Sequence, residues 1–391
     1  MSRRSDFSIL SDPHAIYLDH AASSLTPDSV LSAMEEYYHQ YRSNVHRGVY
    51  PWSAKATIAY EDARDKVAGF IGANASEIAF TQGATASLNL AVQCYFEHKL
   101  KSSQTILISP LEHHSNMIPW QQVALKKGAK LEYIPMTKQW DIDWDALDNL
   151  INREDVAVIA MTHASNIFGL TYDIKRLCRY GIAVCVDGTQ MVSHEAVDVK
   201  DLGCAFYAFS AHKMYGPTGM GALYVHTDFH ADLKPSFTGG GMVDVVTYQE
   251  ASFQKGMRAL EAGTPNIASA IGFAKACDYI HMIGYEQIKQ IETDTFQYFL
   301  EQVEPLGLRT YAPSKHPVYS FTYPSVHSHD VATILGDQGV MVRAGHHCCM
   351  PLLENLGVSA LTRASFGVYN SRLDVDCFVA AIQKVDEVMG L

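Results

Sequence analysis

DWDALDNLINREDVAVIAM, residues 143–161, contains the unit from which most of the chain is built. DWDALDNLINRE (143–154) has a helical pattern, and VAVIAM (156–161) is a short, uninterrupted β-rich run. The same alternation extends in both directions. TILIS (105–109) and KLEYIPM (130–136) precede it, separated by the helical IPWQQVALKKG (118–128), and IAVCVD (182–187) follows it. Strand-like runs alternating with helical ones predict βαβ units, and hence an α/β fold with a mostly parallel sheet covered by helices on both faces. Ligands of such sheets collect at the carboxyl ends of the strands.

The later part reads differently. A long helical stretch over 265–303 leads into VYSFTYP (318–324), a helix through HDVATILGDQG (329–339), VMVRAGHHCC, and a closing helix over 373–388. This predicts a smaller α+β domain, 271–391 together with 1–16, beside a large domain over 17–270. GGG at 239–241 reads as a turn or bulge. The chain has 391 residues, 48% of them hydrophobic and 18% charged, enough to bury a sizeable core. A net charge of −12 with no basic stripe argues against a nucleic-acid partner. No apolar run is long enough for a membrane span, and two arginines near the start are not followed by a signal-peptide core. The eight cysteines, without a secretory signal, read as reduced thiols of a cytoplasmic protein.

FYAFSAHKMYGPTGMGALYV (206–225) runs from an apolar strand into a small-residue turn carrying Lys213, then returns to another apolar strand. A lysine among small and apolar residues loses hydration, which lowers its pKa and makes it a usable amine nucleophile. Taken alone, such a lysine is more often the tip of an exposed hairpin. Upstream, CVDGTQ (185–190) ends an apolar run on Asp187, where a carboxylate can pair with a pyridinium nitrogen, or simply form a turn. The interval of 213 − 187 = 26 residues is about one βαβ step, so both can reach one strand-end crevice. FTQGATASLNLAVQ (80–93) adds a strand end, then Gly83, Ala84 and Thr85, then a helix whose free N–H groups suit an anion. Ser210 and His212 can supply further donors. Each signal has a plain structural reading; in this order the three point to a phosphate-bearing carbonyl cofactor.

At this point the chain resembles the class V aminotransferase superfamily of PLP-dependent transferases of fold type I, and within it the group II cysteine desulfurases, which include selenocysteine lyases. The resemblance rests on YLDHAA (17–22), HRGVY (46–50), LEHHSNMIPWQ (111–121), ASNIFG (164–169), VDGTQ (186–190), SAHKMYGPTGMG (210–221), EAGTPN (261–266) and RAGHHCCMP (343–351). It implies pyridoxal 5'-phosphate (PLP) carried on Lys213, Asp187 against the pyridine nitrogen, Gln190 at the phenolic oxygen and His113 stacked on the ring. Thr85, Ser210 and His212 would hold the phosphate, with the backbone at Ala84, where the family commonly has a second threonine. Thr264 would reach the phosphate of a neighbouring subunit, which implies a homodimer. Arg363 would clamp the substrate carboxylate, with Asn166 nearby and Arg343 and Arg47 at the same mouth.

The implied reaction takes sulfur from L-cysteine, leaves L-alanine, and passes a persulfide on Cys348 to a sulfur-acceptor protein, as in iron–sulfur cluster assembly. Lys213 would move the Cα proton, and Arg343 with His346 and His347 are candidate activators of the thiol. Cys349 stands where a small residue is more usual and competes for the role. Four potential ligands in a row, HHCC, suggest zinc, but consecutive residues cannot all aim at one ion and no second pair follows. Two buried thiols in a turn is the plain reading of that stretch. The other functions in view are a selenocysteine lyase acting on L-selenocysteine, another class V lyase, and a non-catalytic homologue.

Overall fold

In a computed structural model of the chain, residues 2–153, 155–314 and 316–391 are described. Glu154, at the end of the predicted 143–154 helix, and Met1 and Lys315, within the predicted smaller domain, lie outside the described residues. Seven strands form the main sheet: β1 (Ile78–Thr81), β2 (Thr105–Ile108), β3 (Lys130–Tyr133), β4 (Val156–Thr162), β5 (Ala183–Asp187), β6 (Phe206–Ser210) and β7 (Gly221–Val225). Their spatial order is β1-β7-β6-β5-β4-β2-β3. Every pairing is parallel except the two made by β7, which returns from β6 through the turn at 211–220. The α/β reading is borne out.

Burial explains the composition of the strands. β6 and β7 are buried along their whole length, so both faces are apolar and no polar alternation survives. Successive side chains still go to opposite faces: Ile159 and Met161 join one core layer, Val158 and Ala160 the other. Helices α1 (Pro51–Phe70), α2 (Ala84–Ala91), α3 (His114–Lys127), α4 (Trp144–Ile151) and α5 (Ile267–Ile283) belong to this part of the chain. α3 begins earlier than its apolar pattern suggests because His113 caps it, Nδ1 accepting from Ser115 N at 3.1 Å. β3 stops at Tyr133, short of Pro135, which has no N–H to continue a ladder.

The predicted 265–303 helix is two helices. Gly284, at φ +82° and ψ 140°, separates α5 from α6 (Tyr285–Val303). Beyond them lie β8 (Arg309–Thr310), β9 (Val318–Thr322), α7 (Ser328–Asp337), β10 (Arg343–Gly345), α8 (Met350–Leu356), β11 (Leu361–Ser365) and α9 (Arg372–Ile382). The closing helix also ends earlier than expected, at Ile382, with a further turn over Lys384–Met389. The strands form an antiparallel sheet, β8-β9-β11-β10, over a core that includes Phe299, Phe321, Phe366 and Phe378. The N-terminal segment joins this core: Ile16–Tyr17 pairs with Val340–Met341, and Leu18 is fully buried in it. Among the described residues, no helix is long and apolar enough to cross a membrane.

Candidate active site

The parallel strands bring their carboxyl ends to one edge of the sheet. β5 ends on Asp187, while β6 ends on Ser210 and leads through one helical turn to Lys213. β2 and β4 lead to His113 and Asn166, and β1 leads to Gly83. Lys213 is partly accessible. Burial of its stem and amine draws its pKa down to about 8; Asp187 opposes the shift and Arg363 adds to it, while both Cys349 and Cys348 favour the ammonium. One amine, one carboxylate and two thiols therefore share an electrostatic environment.

Asp187 is buried, which raises its carboxyl pKa; the bond from Thr189 N to Oδ1 (3.0 Å) and the Lys213 charge oppose that. Burial, reinforced by Lys213, lowers His113 to about 3, so its imidazole is neutral across the ordinary pH range. His212 falls to about 4 for the same two reasons, with its Nδ1 3.2 Å from Ser23 Oγ.

The phosphate-type turn depends on close backbone approach. Gly83, at φ +144°, caps α2. A Cβ on Gly221 would sit 2.6 Å from Gly83 Cα, so β7 can lie against the turn only because it begins with glycine. Ser210 Oγ accepts from Ala84 N at 2.7 Å, and Thr85 Oγ1 lies 2.6 Å from Ser115 Oγ. Gln190 Nε2 donates to Ala21 O at 2.7 Å.

The cysteine loop is fastened from three sides. Asn166 Nδ2 donates to His347 O (2.9 Å), His114 N to Cys348 O (2.7 Å), and His347 Nε2 to Leu361 O (3.0 Å). These bonds hold His347 and Cys348 in the left-handed region, at φ +50° and +56°. Cys348 is exposed; Cys349 is buried, donates to Asn166 Oδ1 at 3.4 Å, and has its pKa pushed up to about 12 by burial. His347 is buried and held far below its usual value by burial and then Arg363, so it supplies no positive charge to the thiol, contrary to expectation. Among the described residues, no group of three or more His, Cys, Asp or Glu side chains is placed to hold a metal ion.

Arg363 is buried and pairs with Asp19, as does the more exposed Arg343. Arg47 and Thr264 are exposed and, among the described residues, make no hydrogen bond or ion pair to the cleft. Sequence reasoning missed two residues. Asp19 was visible only as part of YLDHAA, and its arginine partners lie far along the chain. Glu112 sits fully buried before His113, accepting from Thr162 N (2.6 Å) and Asn116 Nδ2 (2.7 Å), with burial raising its pKa; an acid beginning the helical EHHSN run was the available signal.

A desolvated amine, a buried carboxylate, a neutral imidazole, a glycine turn at a helix start and an exposed thiol thus stand on the loops that follow the strands' carboxyl ends. The chain belongs to the class V aminotransferase family, whose Aminotransferase class-V profile matches residues 16–378. It is 41% identical over 382 residues to a probable cysteine desulfurase of Halalkalibacterium halodurans, covering 96% of this chain and 94% of that one. It is 40% identical over 385 residues to a cysteine desulfurase of Haloferax volcanii, covering 96% and 90%. The solved cysteine desulfurase of Thermococcus onnurineus superposes with a TM-score of 0.94 at 38% identity, covering 99% of this chain and 98% of that one. CsdA of Escherichia coli, another cysteine desulfurase, gives 0.91 at 35%, with 98% of each covered. The fold is the type I fold of PLP-dependent transferases.

Proposed function

We propose that the chain is a PLP-dependent cysteine desulfurase that converts L-cysteine to L-alanine and keeps the sulfur on Cys348. What supports this is that β5 ends on Asp187, β6 leads to Lys213, and the loop before Cys348 and Cys349 is tied to Asn166 and His114, which follow β4 and β2 at the same edge. The donor set fits PLP. Lys213 would carry it, Asp187 would hold the ring nitrogen, Gln190 the phenolic oxygen and His113 the ring face. Ala84, Thr85, Ser210 and His212 would hold the phosphate. When bound, PLP supplies an electron sink for charge developing at the substrate Cα.

The chain's own residues do the rest. Arg363 holds the substrate carboxylate, and Arg343 lies beside it. Asn166, which we keep near the substrate, also holds the cysteine loop through His347 O. Lys213 Nζ, its pKa near 8, can both take and return the Cα proton. Cys348 accepts the sulfur: its thiolate attacks the substrate Sγ, an S–S bond forms as the Cβ–Sγ bond breaks with its electron pair left toward Cβ, and alanine leaves once Cβ has gained a proton and the Cα proton is restored. The exposed thiol suits Cys348 to this step and to delivery to a sulfur-acceptor protein, as in iron–sulfur cluster assembly. Burial and the raised pKa that follows from it favour Cys348 over Cys349.

Thr264, which makes no hydrogen bond or ion pair to its own cleft among the described residues, is the residue we assign to the neighbouring phosphate site of a homodimer; Arg47 we keep as a residue of the substrate mouth. Eight free thiols fit a reducing cytoplasm. The test is alanine release from L-cysteine by the PLP-loaded protein, with mass spectrometry of the cysteine-treated chain. An extra sulfur on Cys348 is expected. Undiminished alanine release by Cys348→Ala sinks the assignment.

A further inference from the structure

β10 and β11 are antiparallel neighbours, and their register sets Arg343 directly opposite Arg363. Like charges so placed repel, and Arg363, 2% exposed, is too buried for water to screen it. One carboxylate serves both. Asp19 accepts from Arg343 Nε at 3.2 Å through Oδ1 and at 3.0 Å through Oδ2, and lies 2.9 Å from Arg343 Nη2. Arg363 gives it one longer contact, Nη2 to Oδ1 at 3.3 Å. Arg363 Nη1 donates to Asn166 O at 2.9 Å, and its buried Nε has no partner among the described residues.

We infer that Asp19 decides which of the two arginines takes the substrate carboxylate. It saturates the Nε–Nη2 edge of Arg343 and leaves Arg363 with an unspent Nε–H and a second Nη2 proton, the edge that a bidentate carboxylate uses. Asp19 touches neither substrate nor cofactor, so it is a positioning residue. The three groups sum to a single positive charge, which matches one carboxylate. The inference rests on reading the cleft as an amino-acid site, and it adds a balance that the reading does not contain. With Asp19 neutral, Arg343 is free to compete for the carboxylate. With Arg343 neutral, Asp19 turns wholly to Arg363 and competes with the substrate. Each change alone therefore harms binding, and the two together compensate.

The test compares Asp19→Asn, Arg343→Gln and the double variant as PLP-loaded proteins. L-Alanine binding is followed by the change in the cofactor's absorption, and KM and kcat are measured with L-cysteine. Each single change is expected to raise the L-alanine dissociation constant and KM about tenfold with a smaller effect on kcat, and the double variant to return to within about threefold of the unaltered protein. Losses that multiply in the double variant overturn the inference. So does an Arg343→Gln loss as large as that of Arg363→Gln, which would put the clamp on Arg343. If Asp19→Asn does not fold, Arg343→Lys decides by comparison with Arg343→Gln: it keeps a charge facing Asp19 and should lose distinctly less L-alanine affinity than Arg343→Gln, whereas losses equal to those of Arg343→Gln refute the balance. A protein that binds L-alanine but forms none from cysteine would fail the desulfurase reading and leave this test intact.

Discussion

Two adjacent cysteines should differ in reactivity by orders of magnitude, and the difference follows from one turn of backbone. Cys349 has its thiol raised from 9.0 to about 12, chiefly by burial. At any pH well below both values, a shift of that size lowers the thiolate population about 1000-fold, and alkylation follows the thiolate. Iodoacetamide at pH 7.5 should therefore label Cys348 in the native protein while Cys349 reacts at least about 1000-fold more slowly than an ordinary exposed thiol. Peptide mass spectrometry reads the two sites separately. Cys349→Ala should keep alanine release within about threefold and cost about 1–2 kcal/mol of stability, for a small void beside Leu352 and Leu353 and a weak bond lost to Asn166. Cys348→Ala should lose about 100-fold or more of the alanine release from cysteine with its melting temperature unchanged. Labelling of Cys349 in the folded protein, or a persulfide found on it, would refute the reasoning.

Lys213 should capture added PLP with a rate that rises with pH to a half-maximum near 8, where an ordinary lysine would need a pH near 10.5. Between those values the unfolded chain holds a proton that the folded cofactor-free chain has lost. Its stability should thus rise with pH across that window, and the gain should be absent below pH 8; stopped-flow absorbance and melting curves check both. Asp187→Asn should still bind PLP but lower kcat by about 100-fold or more, because a neutral amide cannot hold a pyridinium proton; retention of the original rate would remove Asp187 from the ring nitrogen. Asn166→Ala should destabilise the fold by about 1–3 kcal/mol by leaving His347 O unpaired, and should make Cys349 alkylate faster, measured by the same labelling experiment.

The alternation of strand and helix was legible because strands buried on both faces must be continuous apolar runs, and β4 to β7 are. Asp187 and Lys213 could be paired from sequence because parallel neighbours β5 and β6 end at the same edge, so spacing along the chain becomes proximity in space. The break at Gly284 carried a signal, a glycine inside a helical stretch, that apolar periodicity outweighed. The arginine pair carried none. That Arg343 faces Arg363, and that Asp19 comes between them, depends on the register of β10 against β11 and on a docked N-terminal segment, both set by tertiary packing. The cysteine loop was harder still. Left-handed backbone at His347 and Cys348 is unannounced by glycine or asparagine, and three hydrogen bonds from β4, α3 and β11 regions hold it. Those bonds turn residue 348 outward and seat residue 349 as the cap of α8, so a repeated letter in the sequence becomes one nucleophile and one packing group. The chemical distinction between the two thiols belongs to the fold, and any change that releases the loop should erase it.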